Sequence, residues 1–267
     1  MILTMVQNCP KKGALSENLA DLDRLLEKAE VGSLVLLPEL FATSYLLHPD
    51  ELGAEDYAVI VKWMKEKART GQYSIAGSVA VATGAKMYNR WLGISEDGEE
   101  YAYDKVHLFV PGGEGRGYLG GKAIIQFSFN EVVIRPLICY DLRFPYISFQ
   151  QSGNPYDLLI YAANWPEVRI GQWRQLLIAR AIENQAYVVG VNRVGVDHYG
   201  NAYPGSSLIV DFKGNIVAEM DNQEGLISFE PDFDAMYDYR KRLPFLEDMY
   251  PPNFQVPEKT VVAINKK

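Results

Sequence analysis

The sequence predicts a layered α/β fold, a four-layer α-β-β-α sandwich with two mixed sheets. Short apolar runs rich in β-branched residues alternate with segments of helical period from the start of the chain to about residue 241. Runs such as 33–37 and 132–138 are apolar almost throughout, the pattern of strands buried on both faces. In the second half neighbouring runs are joined by tight turns, such as Asp211-Phe212-Lys213-Gly214-Asn215, and those joins demand antiparallel pairs. Two mixed sheets faced by helices fit these signals better than one doubly wound sheet.

In order, residues 2–7 read as a strand. Residues 15–29 read as an amphipathic helix with Leu15, Leu19, Leu22, Leu25 and Leu26 on one stripe. Residues 33–37 form a buried strand that ends at Pro38 and Glu39. A helix over 51–69 is closed by Gly71. Strands follow at 73–81, 88–94 and 100–104, with Ser95-Glu96-Asp97-Gly98 as a turn. Residues 111–121 form a glycine-rich loop. A strand over 132–138 runs straight into Cys139, and 144–151 reads as a helix with Pro145 in its first turn. The rest comprises a strand at 157–162, a long helix at 171–185, strands at 187–192, 207–212, 216–220 and 226–229, and a helix at 233–241. No internal repeat is evident. Residues 1–250 are expected to form one domain, and 251–267 a tail or an arm that lies on another subunit.

Composition narrows the function. The net charge of −8 argues against a nucleic-acid or anionic-membrane surface, which needs a basic face. Two cysteines exclude a disulfide framework and fit a reducing compartment. Neither a signal peptide nor an apolar stretch long enough to span a bilayer is present, so the cytoplasm is the expected location. Histidines 48, 107 and 198 lie far apart in sequence, so no metal site is expected.

Three residues end strands where α/β folds place ligands. Cys139 sits at a strand, sharp turn and helix start, a setting that favours a thiolate nucleophile. Taken alone, it reads as readily as an inert buried thiol. Glu39 is placed for general-base work. Lys105, in Tyr103-Asp104-Lys105-Val106-His107, is placed to hold a developing oxyanion. Taken singly, each has an ordinary structural reading too, a loop carboxylate and a snorkelling lysine.

Together they change the reading. Leu-Leu-Pro-Glu-Leu-Phe at 36–41, Tyr-Asp-Lys-Val-His-Leu-Phe at 103–109 and Leu-Ile-Cys-Tyr-Asp-Leu-Arg-Phe-Pro at 137–145 resemble segments of the nitrilase superfamily, the carbon–nitrogen hydrolases. So do Ala-Ala-Asn-Trp-Pro at 162–166 and Ala-Arg-Ala-Ile-Glu-Asn-Gln at 179–185. The resemblance covers about residues 1–245, and the segments look most like those of the ω-amidases, which hydrolyse the side-chain amide of 2-oxoglutaramate and 2-oxosuccinamate. It implies catalytic Glu39, Lys105 and Cys139. It further implies a substrate-binding or assisting role for Glu114, the Tyr140 backbone N–H and Trp165, with His107 structural. No cofactor is implied, and the partner is a small-molecule amide. The superfamily's habit implies a homodimer or larger homo-oligomer.

The expected reaction passes through an acyl-thioester to acid and ammonia. A nitrilase, an N-carbamoyl amidohydrolase or an aliphatic amidase would use the same three residues, and a catalytically silent binding protein could share the fold. A redox sensor using Cys139 would need Cys9 as its resolving thiol. Arg116, Arg143 and Arg169 are the candidate cations for a substrate carboxylate, while Arg180 and Glu183, three apart on a helix, suit a structural pair.

Overall fold

The computed structural model describes residues 1–150 and 153–248. Its first half comprises β1 (Leu3–Gln7), α1 (Leu15–Leu26), β2 (Leu34–Leu36), α2 (Asp56–Gly71), β3 (Ser74–Thr83), β4 (Lys86–Ile94), β5 (Glu100–Asp104) and the single turn α3 (Glu114–Gly117). The second comprises β6 (Phe127–Phe129), β7 (Val132–Ile138), α4 (Pro145–Ser148), β8 (Leu158–Ala163), α5 (Ile170–Asn184) and β9 (Tyr187–Asn192). It continues with the hairpin β10 (Val194–Val196) and β11 (Ala202–Pro204), then β12 (Leu208–Val210), β13 (Ile216–Glu219), β14 (Gly225–Phe229) and α6 (Phe233–Arg242).

The strands form two six-stranded mixed sheets, ordered β14-β1-β2-β3-β4-β5 and β13-β12-β9-β8-β7-β6. β1, β2 and β3 run parallel in the first, and β7, β8 and β9 in the second. Successive side chains on a strand point to opposite faces, and the packing follows that rule. Leu3, Met5, Leu34 and Leu36 face the second sheet, while Val6, Val35 and Leu37 pack with Leu19, Leu22 and Leu26 of α1 and Ile60 and Met64 of α2. Trp173, Leu177 and Ala181 of α5 and Met236 of α6 cover the second sheet. The order of layers is therefore helix, sheet, sheet, helix, as the sequence predicts. Full burial of each such side chain contributes about 1.5–3 kcal/mol.

Several local expectations need correction. The helix expected over 144–151 is the four-residue α4, preceded by a separate 3₁₀ helix over Cys139–Arg143. A residue before proline avoids the α region, so Phe144 is extended, at φ −112° and ψ 91°, and the two turns cannot merge. The helix expected from 51 begins at Asp56, after a 3₁₀ turn at Pro49–Glu51. Its left-handed closing residue is Gln72, not Gly71. Gly71 is instead required for space, because a Cβ there would lie 2.1 Å from the Tyr73 ring. The loop over 111–121 contains two helical turns, and Gly117 lets it pass close beneath the Leu47 carbonyl. Strands β6, β10 and β11 are three residues each, too short to stand out in sequence. The tail over 251–267, and Gln151 at the end of the expected helix, lie outside the described residues. Among those described, no helix is long and apolar enough to cross a membrane.

Candidate active site

Four strand ends converge on one cavity of about 420 Å³. β2 leads to Glu39, β5 to Lys105, β7 to Cys139 and β8 to Asn164, and all four residues line it. Glu39 and Lys105 are each only 1% exposed. The Lys105 ammonium donates to Glu39 Oε1 at 2.8 Å and to Glu114 Oε1 and Oε2 at 3.0 and 2.9 Å. Glu114, expected in a loop, is fully buried. It also accepts from the Phe109 N–H and from Asn89 Nδ2.

The Glu39 carboxylate is held on three sides. Oε1 accepts from Asn89 Nδ2 at 2.7 Å and from Lys105, and Oε2 accepts from the Asn164 backbone N–H at 2.9 Å. Ser78 Oγ in turn donates to Asn89 Oδ1 at 2.8 Å. A carboxylate has about four acceptor positions, so one stays free for the reacting centre. The Cys139 thiol lies 3.8 Å from the Asn164 carbonyl, an S–H donor facing an acceptor.

Cys139 occupies a left-handed conformation at φ +44°. Such strain in a non-glycine residue costs of order 1 kcal/mol and persists only where the surroundings over-determine it. Asp141, fully buried, supplies that constraint. Its Oδ2 accepts from the Ile138 N–H and the Tyr103 hydroxyl, and its Oδ1 from the His107 N–H, with His107 Nδ1 at 3.0 Å. One carboxylate thus ties the turn that carries Cys139 to the strand end that carries Lys105. His107 packs flat on Phe144, outside the residues that line the cavity.

Charge sets the resting state. Burial alone would lower the Lys105 pKa, but the Glu114 and Glu39 carboxylates outweigh it and hold the ammonium well above its ordinary value. Burial pushes the Glu114 carboxyl up, against the pull of Lys105. Burial, reinforced by the negative charge of Glu39, pushes the Cys139 thiol well above its ordinary value. The turn was expected to favour a thiolate nucleophile, and the buried surroundings push the other way. The helix after Cys139 is a short 3₁₀ turn, and a second anion beside two carboxylates is disfavoured. The direction of this shift favours the thiol over the thiolate at rest.

The other expected residues divide. Tyr140 and Trp165 line a small side pocket, not the main cavity. Trp165 donates its indole N–H to the Arg169 carbonyl and braces the loop after β8. Arg116 is exposed and lines neither pocket. Arg143 lies in the side pocket over the Trp165 ring, bonded to Gln172, and Arg169 lines both. Arg180 pairs with Glu183 at 2.9 Å. Residues the sequence reading missed are Asn89, Tyr45 and the wall from Asp197 to Tyr203. Asn89 had a signal, being an amide on the same face of its strand as Met87 and Trp91, while Tyr88 and Arg90 point the other way.

This site stands on a fold shared with known enzymes. The model of the carbon-nitrogen hydrolase family matches residues 2–241, and the chain belongs to that family. It is therefore a hydrolase of carbon–nitrogen bonds. It is 40% identical over 232 residues to the ω-amidase YafV of Yersinia enterocolitica, covering 86% of this chain and 90% of that protein. It is 34% identical to the 2-oxoglutaramate amidase of Bacillus subtilis over 89% of this chain and 93% of that one. Among solved structures, XC1258 of Xanthomonas campestris, a CN-hydrolase superfamily protein with an arsenic adduct in its active site, superposes with a TM-score of 0.89 at 32% identity, covering 96% of this chain and 99% of that one.

Proposed function

We propose that the protein is a cysteine-dependent ω-amidase, which cleaves the terminal amide of small acids such as 2-oxoglutaramate and 2-oxosuccinamate to the acid and ammonia. The observation that carries this reading is that Cys139 lines one cavity with the Glu39 carboxylate and the buried Lys105 ammonium, which are hydrogen-bonded to each other. The two named amidase relatives support the substrate class.

In the first half-reaction the Glu39 carboxylate takes the thiol proton as sulfur attacks the amide carbon. The Lys105 ammonium and the Tyr140 N–H hold the oxyanion. The intermediate collapses, the C–N bond breaks, Glu39 returns its proton to nitrogen and ammonia leaves. An acyl-thioester remains. Glu39 then deprotonates water, which attacks the thioester carbon; the C–S bond breaks and the proton returns to sulfur. Glu114 assists by fixing Lys105 between two carboxylates. The lysine supplies the positive charge, so this sequence needs no metal or organic cofactor. Residues 1–250 act as one catalytic unit. Two free thiols suit a reducing cytoplasm, and exposed Tyr146 and Phe149, just after the nucleophile's turn, suit a homodimer face.

The test offers 2-oxoglutaramate, glutamine and a simple aliphatic nitrile to the protein and to Cys139→Ala, with product detection by mass spectrometry. Preferred hydrolysis of 2-oxoglutaramate, lost by at least about 10⁴-fold in the variant, is expected. Preference for the nitrile or for glutamine would overturn the substrate assignment, and full activity of Cys139→Ala would overturn the mechanism.

A further inference from the structure

The loop after β8 carries two polar side chains that the chemistry above leaves unused. Asn164 is 8% exposed, yet neither its Oδ1 nor its Nδ2 has a hydrogen-bond partner among the described residues. Its backbone is already committed, the N–H to Glu39 and the carbonyl to the thiol. A buried carboxamide with both ends unpaired is rare in folded proteins, and an unpaired buried group costs about 1–3 kcal/mol. It lines the cavity, so the missing partner is a molecule that enters there.

Five residues on, Arg169 lines the same cavity. It is half-buried, its guanidinium rests over the Phe109 ring at 5.5 Å, and it makes no ion pair with any described carboxylate. The other two candidate cations are placed differently. Arg143 is turned to Gln172 and Trp165 in the side pocket, and Arg116 is exposed and away from the cavity. The Arg169 carbonyl is pinned by the Trp165 indole, so the loop holds Arg169 and Asn164 in a fixed relation. Asp197, which also lines the cavity, accepts from four donors on its own hairpin and offers a substrate anion nothing.

We propose that the loop from Asn164 to Arg169 is the acid-recognition element of this site: Arg169 binds the distal carboxylate of the substrate, and the Asn164 side chain bonds the oxo group one carbon nearer the amide. The inference rests on the ω-amidase reading and adds to it the residues that select a 2-oxo acid over a neutral amide. A guanidinium pairs with a carboxylate through two parallel N–H donors. A carboxamide N–H donates to a ketone oxygen. Neither residue takes part in proton transfer; both set which amide is presented to Cys139.

Three amides with the same five-carbon chain test it. Pentanamide is neutral, glutaramate adds the carboxylate, and 2-oxoglutaramate adds the oxo group. The ratios of kcat/KM between successive members isolate each feature. In the native enzyme glutaramate is expected to exceed pentanamide by about 10- to 100-fold, the range of a charged hydrogen bond. Arg169→Met should bring that ratio towards one, mainly through KM, and Arg169→Lys should recover part of it. Asn164→Ala should collapse the ratio of 2-oxoglutaramate to glutaramate, expected at about 3- to 10-fold, and leave the carboxylate ratio standing. If Arg169→Met slows all three amides equally, its role is structural and the proposal fails while the ω-amidase reading stands. If the native enzyme hydrolyses none of the three, both readings fail together.

Discussion

From β14 to β5 and from β6 to β13, the two sheets run through the same series of pairings: antiparallel, parallel, parallel, antiparallel, antiparallel. β1 thus corresponds to β7, and each is followed within two residues by a cysteine. The two ends are finished differently. After β7, Cys139 is forced into a left-handed turn that lines the cavity. After β1, Asn8 donates to the Phe41 carbonyl, the Cys9 N–H donates to Glu224, and the buried Arg193 guanidinium closes over the Cys9 sulfur at 3.9 Å. That end is closed by hydrogen bonds, and Cys9 does not line the cavity that Cys139 lines. The architecture supplies two strand ends suited to a nucleophile. What sets the Cys139 end apart is the strained turn and the buried charges brought to it from the other sheet.

The sharpest way to test that statement is to remove the charge. Lys105→Met leaves Glu39 and Glu114 without their shared ammonium in a buried site. Breaking such a pair costs about 3–5 kcal/mol of stability. Loss of one oxyanion donor costs a further factor of about 100–1,000 in kcat. Thermal unfolding and single-turnover thioester formation measure the two effects separately. Retention of more than about a tenth of the native kcat would mean that the charge is not what distinguishes this strand end.

Much of this was legible in sequence. The strand before Glu39 is a continuous apolar run, and the one before Cys139 is apolar but for Arg135; each stops at a polar residue, and that pattern survives any change in their neighbours. The two mixed sheets follow from β-branched runs joined by tight turns. The meeting of Glu39 and Lys105 was legible only through the family resemblance, because 66 residues separate the partners and no local period couples them. Asp141 was invisible for a different reason. Its role depends on bonds to Tyr103 and His107 on another sheet. Glu114 was assigned to the site only by the family resemblance, because the glycines around it read as a loop and hide its burial. The space needed at Gly117, where a Cβ would sit 2.0 Å from the Leu47 carbonyl, shows them serving close packing.

A second test follows the Cys139 thiol by itself. Burial and the Glu39 charge hold the Cys139 pKa above its ordinary value, so its thiolate fraction is small at neutral pH. The sign follows: alkylation, which consumes thiolate, should be slower than for a free thiol of ordinary pKa near about 8.5 and should rise about tenfold per pH unit. The rise should continue beyond the pH at which an ordinary thiol levels off. Iodoacetamide labelling in a Cys9→Ser background, followed by mass spectrometry, gives the curve. A plateau below about pH 8 would mean a resting thiolate, and the requirement for Glu39 as base in acylation would fall with it.

The smallest effect separates two copies of one turn. Asp197-His198-Tyr199-Gly200-Asn201 and Asp211-Phe212-Lys213-Gly214-Asn215 share spacing and bonding: in each, the aspartate accepts from backbone N–H groups two and four residues on and from the asparagine side chain. Only Asp197 also accepts the Tyr203 hydroxyl and lines the cavity. Burial would raise the Asp197 pKa, but these hydrogen bonds outweigh it and hold the carboxyl below its ordinary value. Its contribution to stability is therefore complete above an ordinary aspartate pKa near about 3.9 and is lost as pH falls through the lowered folded value. Asp211→Ala should cost about 1 kcal/mol and leave KM unchanged, since that turn lies away from the site. Asp197→Ala should cost about 1–3 kcal/mol, because it strands a buried tyrosine hydroxyl, and should raise KM severalfold as the wall loosens. Equal effects of the two substitutions on unfolding temperature and on KM would show that the hairpin beside the cavity is only a connection.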